Sequence, residues 1–340
     1  MSIIKIIHLI PYDGIGGVET AARTMLHVRD ENIDFNVSYI CTKTSREKSL
    51  KSTYNPFSLI ISFLSICRKD VDVLIVSLWR SLIVGILVKI FKPKIILITF
   101  LHLESNAHFI DYICHKISLF LSTHIFADSD ATKRGRLSPS MQKKCSVISF
   151  VSKRIDPLSM HEVNTNFIFW GRITPQKGLN RAIKIFNEIH KKYSKAHYWI
   201  IGPDGGSLIE IKSLLETLGL TESVTFIGPS TYDEILIYAR QASFYLQTSL
   251  VEGMAMSVME SMQLGLVPIV TPVGEIISYC HEGKNAIIVN SDNKTVDDVL
   301  SLLANNDSYQ LLRANAIATW QNKKLYRDSV LETCRKKFKA

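Results

Sequence analysis

The strongest constraint in this sequence is the recurrence of short apolar runs, each followed by a turn and a stretch of helical spacing. The first set reads IIKIIHLI, FNVSYI, DVLIVSL, PKIILITF, HIFADS and CSVISF. Runs this short and this apolar suit strands buried on both faces, and the intervening segments supply the crossovers that parallel strands require. Across residues 151–166, VSKRIDPLSMHEVNTN, the pattern stops. A second set then follows: NFIFWG, HYWIIG, SVTFIG, ASFYLQTS, LVPIVT and AIIVN. Segments such as NRAIKIFNEIHKKY and YDEILIYARQA between them have helical spacing. The pattern predicts an α/β chain of two doubly wound domains in tandem, 1–160 and 161–320, with a basic helical end at 321–340.

Composition agrees with that size. The chain has 340 residues, 46% hydrophobic and 21% charged, which gives room for two cores and excludes a disordered chain. Its six cysteines are scattered without a CxxC pair and read as reduced, buried thiols of a cytoplasmic protein. The opening MSIIKIIHLIPYDG reads as a first buried strand rather than a signal peptide. The most apolar segment, VLIVSLWRSLIVGILVKIFKPKIILITFLHL, is interrupted by Arg80, Lys89, Lys92 and Lys94 before about 18 clean residues accumulate. It reads as strand, buried helix and strand, not as a membrane span. Charge is uneven: residues 1–160 carry 21 Lys/Arg against 13 Asp/Glu, giving +8, whereas 161–320 carry 12 against 16, giving −4, and the last 20 carry 7 against 2, giving +5. A basic first half and tail suggest a surface that faces an anionic partner.

In doubly wound folds, ligands bind at the carboxyl ends of strands, where loops lead into helices. Four stretches fall at such places. DGIGGVET follows the first strand, and its Gly14, Gly16 and Gly17 allow backbone N–H groups to approach an anion; a plain tight turn is the alternative. WGRITPQKGLNRAI sets Arg172 and Lys177 about a turn that opens a helix, either as a diphosphate clamp or as two solvated cations. In LQTSLVEGMAMSVMES, a helix starts near Met256, which puts Glu252 in the loop and Glu260 on the early turns. Two such acids suit the hydroxyls of a sugar and a ribose. The alternative is one exposed acid and one capping acid. His102, in TFLHLES, stands just past a strand end. DSD at 128–130 reads as a helix cap rather than a divalent-metal site, and no HxxxH, HExxH or Gx4GK[ST] spacing is present, so neither a metal nor a cofactor is expected.

Together these residues resemble family 4 of the retaining glycosyltransferases, over nearly the whole chain. GGVE is similar to the family's first glycine loop, and ITFLHLES to its strand with a terminal histidine. IFADSDATKRGRL resembles the segment leading to a serine and a lysine, and GRITPQKG its GR…KG motif. EGMAMSVMESMQLGLVPIVTPVGEI resembles the acid–seven–acid signature and the turn after it, the most specific of the five. The resemblance implies the GT-B architecture, two Rossmann-like domains facing across a cleft, with an acceptor-binding first domain, a donor-binding second domain and a last helix that crosses back to the first. It implies that Arg172 and Lys177 bind the donor diphosphate. Glu252, with Gly253, Met254 and Ala255, would meet the donor sugar, and Glu260 the ribose. Gly16 and Gly17 would approach phosphate or acceptor, and His102 would sit beside the reacting sugar. Catalysis would need no metal.

The chain departs from the family pattern at Gly253-Met254-Ala255, where a phenylalanine or similar residue usually follows the glycine, and in TPVGEI, which lacks a second glycine and proline before Glu275. Both departures touch the donor-sugar pocket. The expected activity is transfer of a sugar from a nucleoside-diphosphate sugar to a cell-envelope glycan or its lipid-linked precursor, as in lipopolysaccharide, capsule or exopolysaccharide synthesis. The expected setting is cytoplasmic, with peripheral contact with an anionic membrane face and no nucleic-acid partner. The alternatives are a nucleotide-sugar epimerase of the same fold and a non-catalytic nucleotide-sugar-binding subunit. A nicotinamide oxidoreductase ranks below these because GxGxxG is absent.

Overall fold

The computed structural model describes residues 3–14, 16–30, 32–41, 56–103, 108–159 and 162–338. Of the motifs above, Ile15, Glu104 and Ser105 lie outside the described residues. The chain divides into two compact units, Met1–Lys153 with Lys324–Ala340, and Arg154–Lys323.

In the first unit the strands are β1 (Ile4–Tyr12), β2 (Val28–Asp30), β3 (Ile33–Cys41), β4 (Val73–Ser77), β5 (Ile96–Leu101), β6 (His124–Ala127) and β7 (Cys145–Val147). They form one sheet in the order β2-β3-β1-β4-β5-β6-β7. All neighbours are parallel except β2, which pairs antiparallel with β3. The sequence pattern missed β2, because its three residues, VRD, carry a single buried side chain. The helices are α1 (Gly17–Arg23), α2 (Pro56–Arg68), α3 (Trp79–Phe91), α4 (Phe109–Leu121), α5 (Asp130–Arg136) and α6 (Pro139–Gln142). Ile7, Leu9, Leu74, Val76 and Leu97 from the strands pack against Leu82, Val84 and Val88 of α3 and Ile66 of α2. Burying each such side chain contributes roughly 1.5–3 kcal/mol, and coverage of both sheet faces explains why β4 has no polar alternation.

The second unit contains β8 (Asn166–Trp170), β9 (His197–Ile201), β10 (Val224–Gly228), β11 (Phe244–Gln247), β12 (Val267–Val270) and β13 (Ile287–Ile288). This sheet is parallel throughout, in the order β10-β9-β8-β11-β12-β13. Its helices are α7 (Leu179–His190), α8 (Leu208–Leu218), α9 (Tyr232–Ala239), α10 (Met256–Leu264), α11 (Ile276–Tyr279), α12 (Asp292–Ala304) and α13 (Asn306–Gln321). A last helix, α14 (Tyr326–Phe338), is counted with the first unit. There the backbone N–H of Tyr326 donates to Val151, and the Ser329 hydroxyl accepts from the backbone N–H of Ser149 at 3.1 Å. Arg335 of α14 pairs with Asp30.

The division between units falls at Lys153/Arg154, seven residues before the boundary expected from the lapse in periodicity. The connecting stretch is aperiodic but not idle. Ile155 N–H donates to Gln263 Oε1, Leu158 N–H donates to Leu264 O, and the Arg154 guanidinium donates to the carbonyls of Trp320 and Lys323. Polar contacts of this kind leave no hydrophobic period to read.

Candidate active site

Each sheet has one point at which the chain reverses its direction of winding. In the first it lies between β1 and β4, and in the second between β8 and β11. Loops diverge there, which leaves a crevice at the strand carboxyl ends.

At the second unit's reversal, the loop after β8 carries Arg172 and Lys177, and the loop after β11 carries Glu252. The backbone joins them. Leu250 N–H donates to Gln176 O, Gln176 Nε2 donates to Val251 O, and Thr248 Oγ1 donates to Gly178 O at 2.6 Å. Gly178 has φ of 63°, and a Cβ there would stand 2.0 Å from Thr248 O, so only glycine permits this approach. The result is an ion pair, Lys177 Nζ to Glu252 Oε1 at 2.7 Å, with side chains only 17% and 7% exposed. Arg172 lies on the same loop but is exposed, and no carboxylate pairs with it among the described residues.

Glu252 is the most organised of these residues. Its Oε1 accepts from Lys177, from Gln247 Nε2 at 3.0 Å and from Ser249 Oγ at 2.7 Å. Its Oε2 has no hydrogen-bond partner among the described residues. Gln247 is held in turn by the hydroxyls of Tyr245 and Ser257, at 2.7 and 3.2 Å. Glu252 is therefore neither an exposed acid nor a cap. It is a buried carboxylate fixed through one oxygen. The turn after β12 closes on its backbone: Gly274, at φ 57°, approaches so near that a Cβ would be 2.1 Å from Glu252 O, and Glu275 N–H donates to Gly253 O. Met254 O accepts from Tyr279 Oη at 2.8 Å. The α10 helix begins at Met256, where the sequence placed it, through Ala255 in the left-handed region at φ 52°. Glu260 is five residues into α10, not capping it, and its Oε2 accepts from Trp170 Nε1 at 3.1 Å.

The first unit holds the other expected residues. Gly16 and Gly17 open α1, and a Cβ on Gly16 would meet the buried Glu19 carboxylate at 2.3 Å. Arg23 ties this turn down through Asp13 Oδ1 and Gly14 O, at 2.5 and 2.7 Å. His102 stands one residue beyond β5. Its Nε2 is 2.9 Å from Ser77 Oγ, and Ser77 Oγ is also 2.7 Å from His8 Nε2. The chain His8–Ser77–His102 thus crosses the carboxyl half of three adjacent strands. Burial lowers the His8 pKa to about 3 and, with the neighbouring His8 and His115, holds His102 well below its ordinary value, so both rings are neutral near pH 7. His102 Nδ1 is buried and makes no hydrogen bond to the described residues. The DSD stretch caps α5, with Ser129 Oγ accepting from Thr132 N–H at 3.0 Å and donating to Asp128.

His8, Ser77, Gln247, Ser249 and Trp170 were missed in the sequence. Each belongs to an apolar strand or its end, and its polar atom becomes meaningful only when a neighbouring strand supplies the partner. The one available signal was a polar residue closing an apolar run, as in LQTS.

This site places two cations, two carboxylates and a helix start about one sheet reversal. Residues 158–319, which make up most of the second unit, match the family described as Glycosyl transferases group 1. Over 176 residues the chain is 27% identical to the uncharacterized glycosyltransferase YqgM of Bacillus subtilis, covering 49% of this chain and 46% of that one. Over 173 residues it is 22% identical to the alpha-monoglucosyldiacylglycerol synthase of Acholeplasma laidlawii, covering 49% and 43%. The chain thus spans less than half the length of these curated relatives. Among solved structures it resembles Anabaena Alr3699/HepE in complex with UDP-glucose, with a TM-score of 0.79 at 15% identity, over 99% of this chain and 100% of that one. At that identity the likeness is one of fold, and the fold is the GT-B type of two parallel-sheet α/β domains.

Proposed function

We propose that the protein is a retaining, metal-independent glycosyltransferase that moves a sugar from a nucleoside-diphosphate sugar to a hydroxyl of a membrane-linked or envelope glycan. The observation that carries this reading is the ion pair of Lys177 with the buried Glu252 at the reversal point of the second sheet. A lysine held there by a carboxylate presents its ammonium group where a diphosphate would lie. The exposed Arg172 on the same loop supplies a second cation. Glu252 Oε2 accepts from sugar hydroxyls while Oε1 is occupied by its three donors. Glu260, braced by Trp170, takes the ribose hydroxyls. The α10 N-terminus adds its partial positive charge to the phosphate side.

In the proposed step the acceptor oxygen attacks the anomeric carbon on the face from which the diphosphate departs. The carbon–oxygen bond to the phosphate breaks as the new one forms, and the acceptor proton passes to the departing phosphate oxygen. The protein's contribution is electrostatic: fixed cations stabilise the charge that grows on the leaving group. A neutral His102 donates or accepts a hydrogen bond at the reacting sugar without adding charge. Support for a lipid-linked acceptor comes from the basic first half of the sequence and from the Acholeplasma relative, whose name describes a glycolipid synthase.

A thermal-shift panel of nucleoside diphosphates and their sugars tests this, with Arg172→Ala and Glu260→Ala beside the parent. The expected result is a shift with one nucleotide that is lost in both variants. A shift with dinucleotides, or none with any nucleotide, would overturn the reading.

A further inference from the structure

Helices α2, α3 and α4 of the first unit are apolar on both sides. Their inner residues, such as Leu59, Phe63, Ile66 and Val88, pack on the sheet or on one another. Their outer residues stand largely in solvent. Phe57 and Ile61 of α2, Ile90 and Phe91 of α3, and Phe109 and Phe120 of α4 are all more than half exposed, with Phe120 at 79% and Phe109 at 74%. The three helices connect β3 to β4, β4 to β5 and β5 to β6, and α3 packs against both of the others. Their outer residues therefore make one continuous apolar layer. A helix that is apolar all round is normally buried, and a soluble surface rarely leaves a patch of this extent uncovered.

The charges on this layer have one sign. Helices α2 and α3 contain no carboxylate, and the one on α4, Asp111, is buried and paired with His115 at 2.9 Å. Arg68, Lys94 and Lys116 are exposed there, and no carboxylate pairs with them among the described residues. Asp70 and Asp72, which follow α2, are already engaged by Lys5, through its ammonium at 2.6 Å and its backbone N–H at 2.9 Å. A second copy of the chain would bring the same cations and no acid to meet them, because a two-fold contact presents one patch to itself. A lipid surface with anionic headgroups matches both properties, taking the aromatic side chains into its interface and the cations at its phosphates. No helix among the described residues is long and apolar enough to cross a membrane, so this contact runs along helix flanks.

We infer that the outer face of α2, α3 and α4 is a docking surface for an anionic lipid bilayer. The inference deepens the membrane-linked acceptor of the proposed function and names the surface that would bring the enzyme to it. The full chain is tested by flotation with vesicles of phosphatidylcholine alone and with phosphatidylglycerol added, at low and high salt. Binding should require the anionic lipid and weaken with salt. The triple variant Ile61→Ser, Phe91→Ser, Phe120→Ser should lose at least about tenfold in vesicle affinity. Ile209→Ser with Leu311→Ser, exposed on the second unit, should lose none.

Absence of vesicle binding, equal binding to neutral vesicles, or an unaffected triple variant would each overturn the inference. So would a parent that sediments as a dimer and a triple variant that is monomeric, which would assign the face to a second copy. The nucleotide shift is read on the same samples. Vesicle binding without a nucleotide shift overturns the transferase reading alone, and a nucleotide shift without vesicle binding overturns the docking face alone.

Discussion

Lys177 Nζ and Glu252 Oε1 lie 2.7 Å apart, although 75 residues separate them in the chain. The pair is assembled by two loops at one sheet reversal, so its two members should act as a unit. Lys177→Met and Glu252→Gln should each weaken nucleotide binding. Each should also destabilise the protein, because each leaves a largely buried group without its partner, at about 1–3 kcal/mol. The double variant should cost less than the two together, with a coupling of about 1–2 kcal/mol in a urea-denaturation cycle. Simple additivity would mean that the pair contributes nothing jointly.

Glycine at 178 permits the contact that brings these loops together. Gly178→Ala adds a Cβ at 2.0 Å from Thr248 O, and Gly274→Ala one at 2.1 Å from Glu252 O. Both should lower the melting temperature markedly and abolish the nucleotide shift. Gly219→Ala provides the contrast, since φ is 69° there but nothing stands within 4 Å. It should cost only the backbone term, about 1 kcal/mol, and leave nucleotide binding intact. Equal effects at all three positions would show that φ alone matters.

Ala255 adopts φ 52° at the start of α10, a region costly for any residue with a Cβ. Ala255→Gly should therefore stabilise the fold or leave it unchanged, by up to about 1 kcal/mol in thermal unfolding. A clear loss of stability would mean that the Ala255 methyl group is more important for packing than the backbone is strained.

The buried histidines make stability depend on pH. The folded His8 has a pKa of about 3, below the unfolded value near 6.5, and that of His102 is lowered in the same sense. Between these values the unfolded chain binds more protons than the folded one, so stability rises with pH across that window. For His8 the contribution is fully present above about 6.5 and is lost as pH falls toward 3, at about 1.4 kcal/mol per pH unit, and the loss from His102 has the same sign. His8→Gln should flatten the fall in melting temperature between pH 7 and pH 4.5. An unchanged slope would show that other groups govern it.

Much of this architecture was legible in the sequence because burial leaves a pattern. The strands β1, β4, β5, β6, β8, β11 and β12 are runs that must be apolar when both sheet faces are covered. The helix start at Met256 and the cap at Ser129 follow from local chemistry. The strand β2 was not legible, since its three residues carry no hydrophobic period.

The candidate site divides along the same line. The sequence alone determined which loops carry the charged residues, because order along the chain fixes which loop follows which strand. Only the tertiary structure decided that Lys177 meets Glu252 rather than solvent, that three donors meet on one carboxylate oxygen, and that His8 and His102 share Ser77. These are contacts between residues distant in the chain. Their energies come from burial and hydrogen-bond geometry, which appear only once neighbouring strands are side by side.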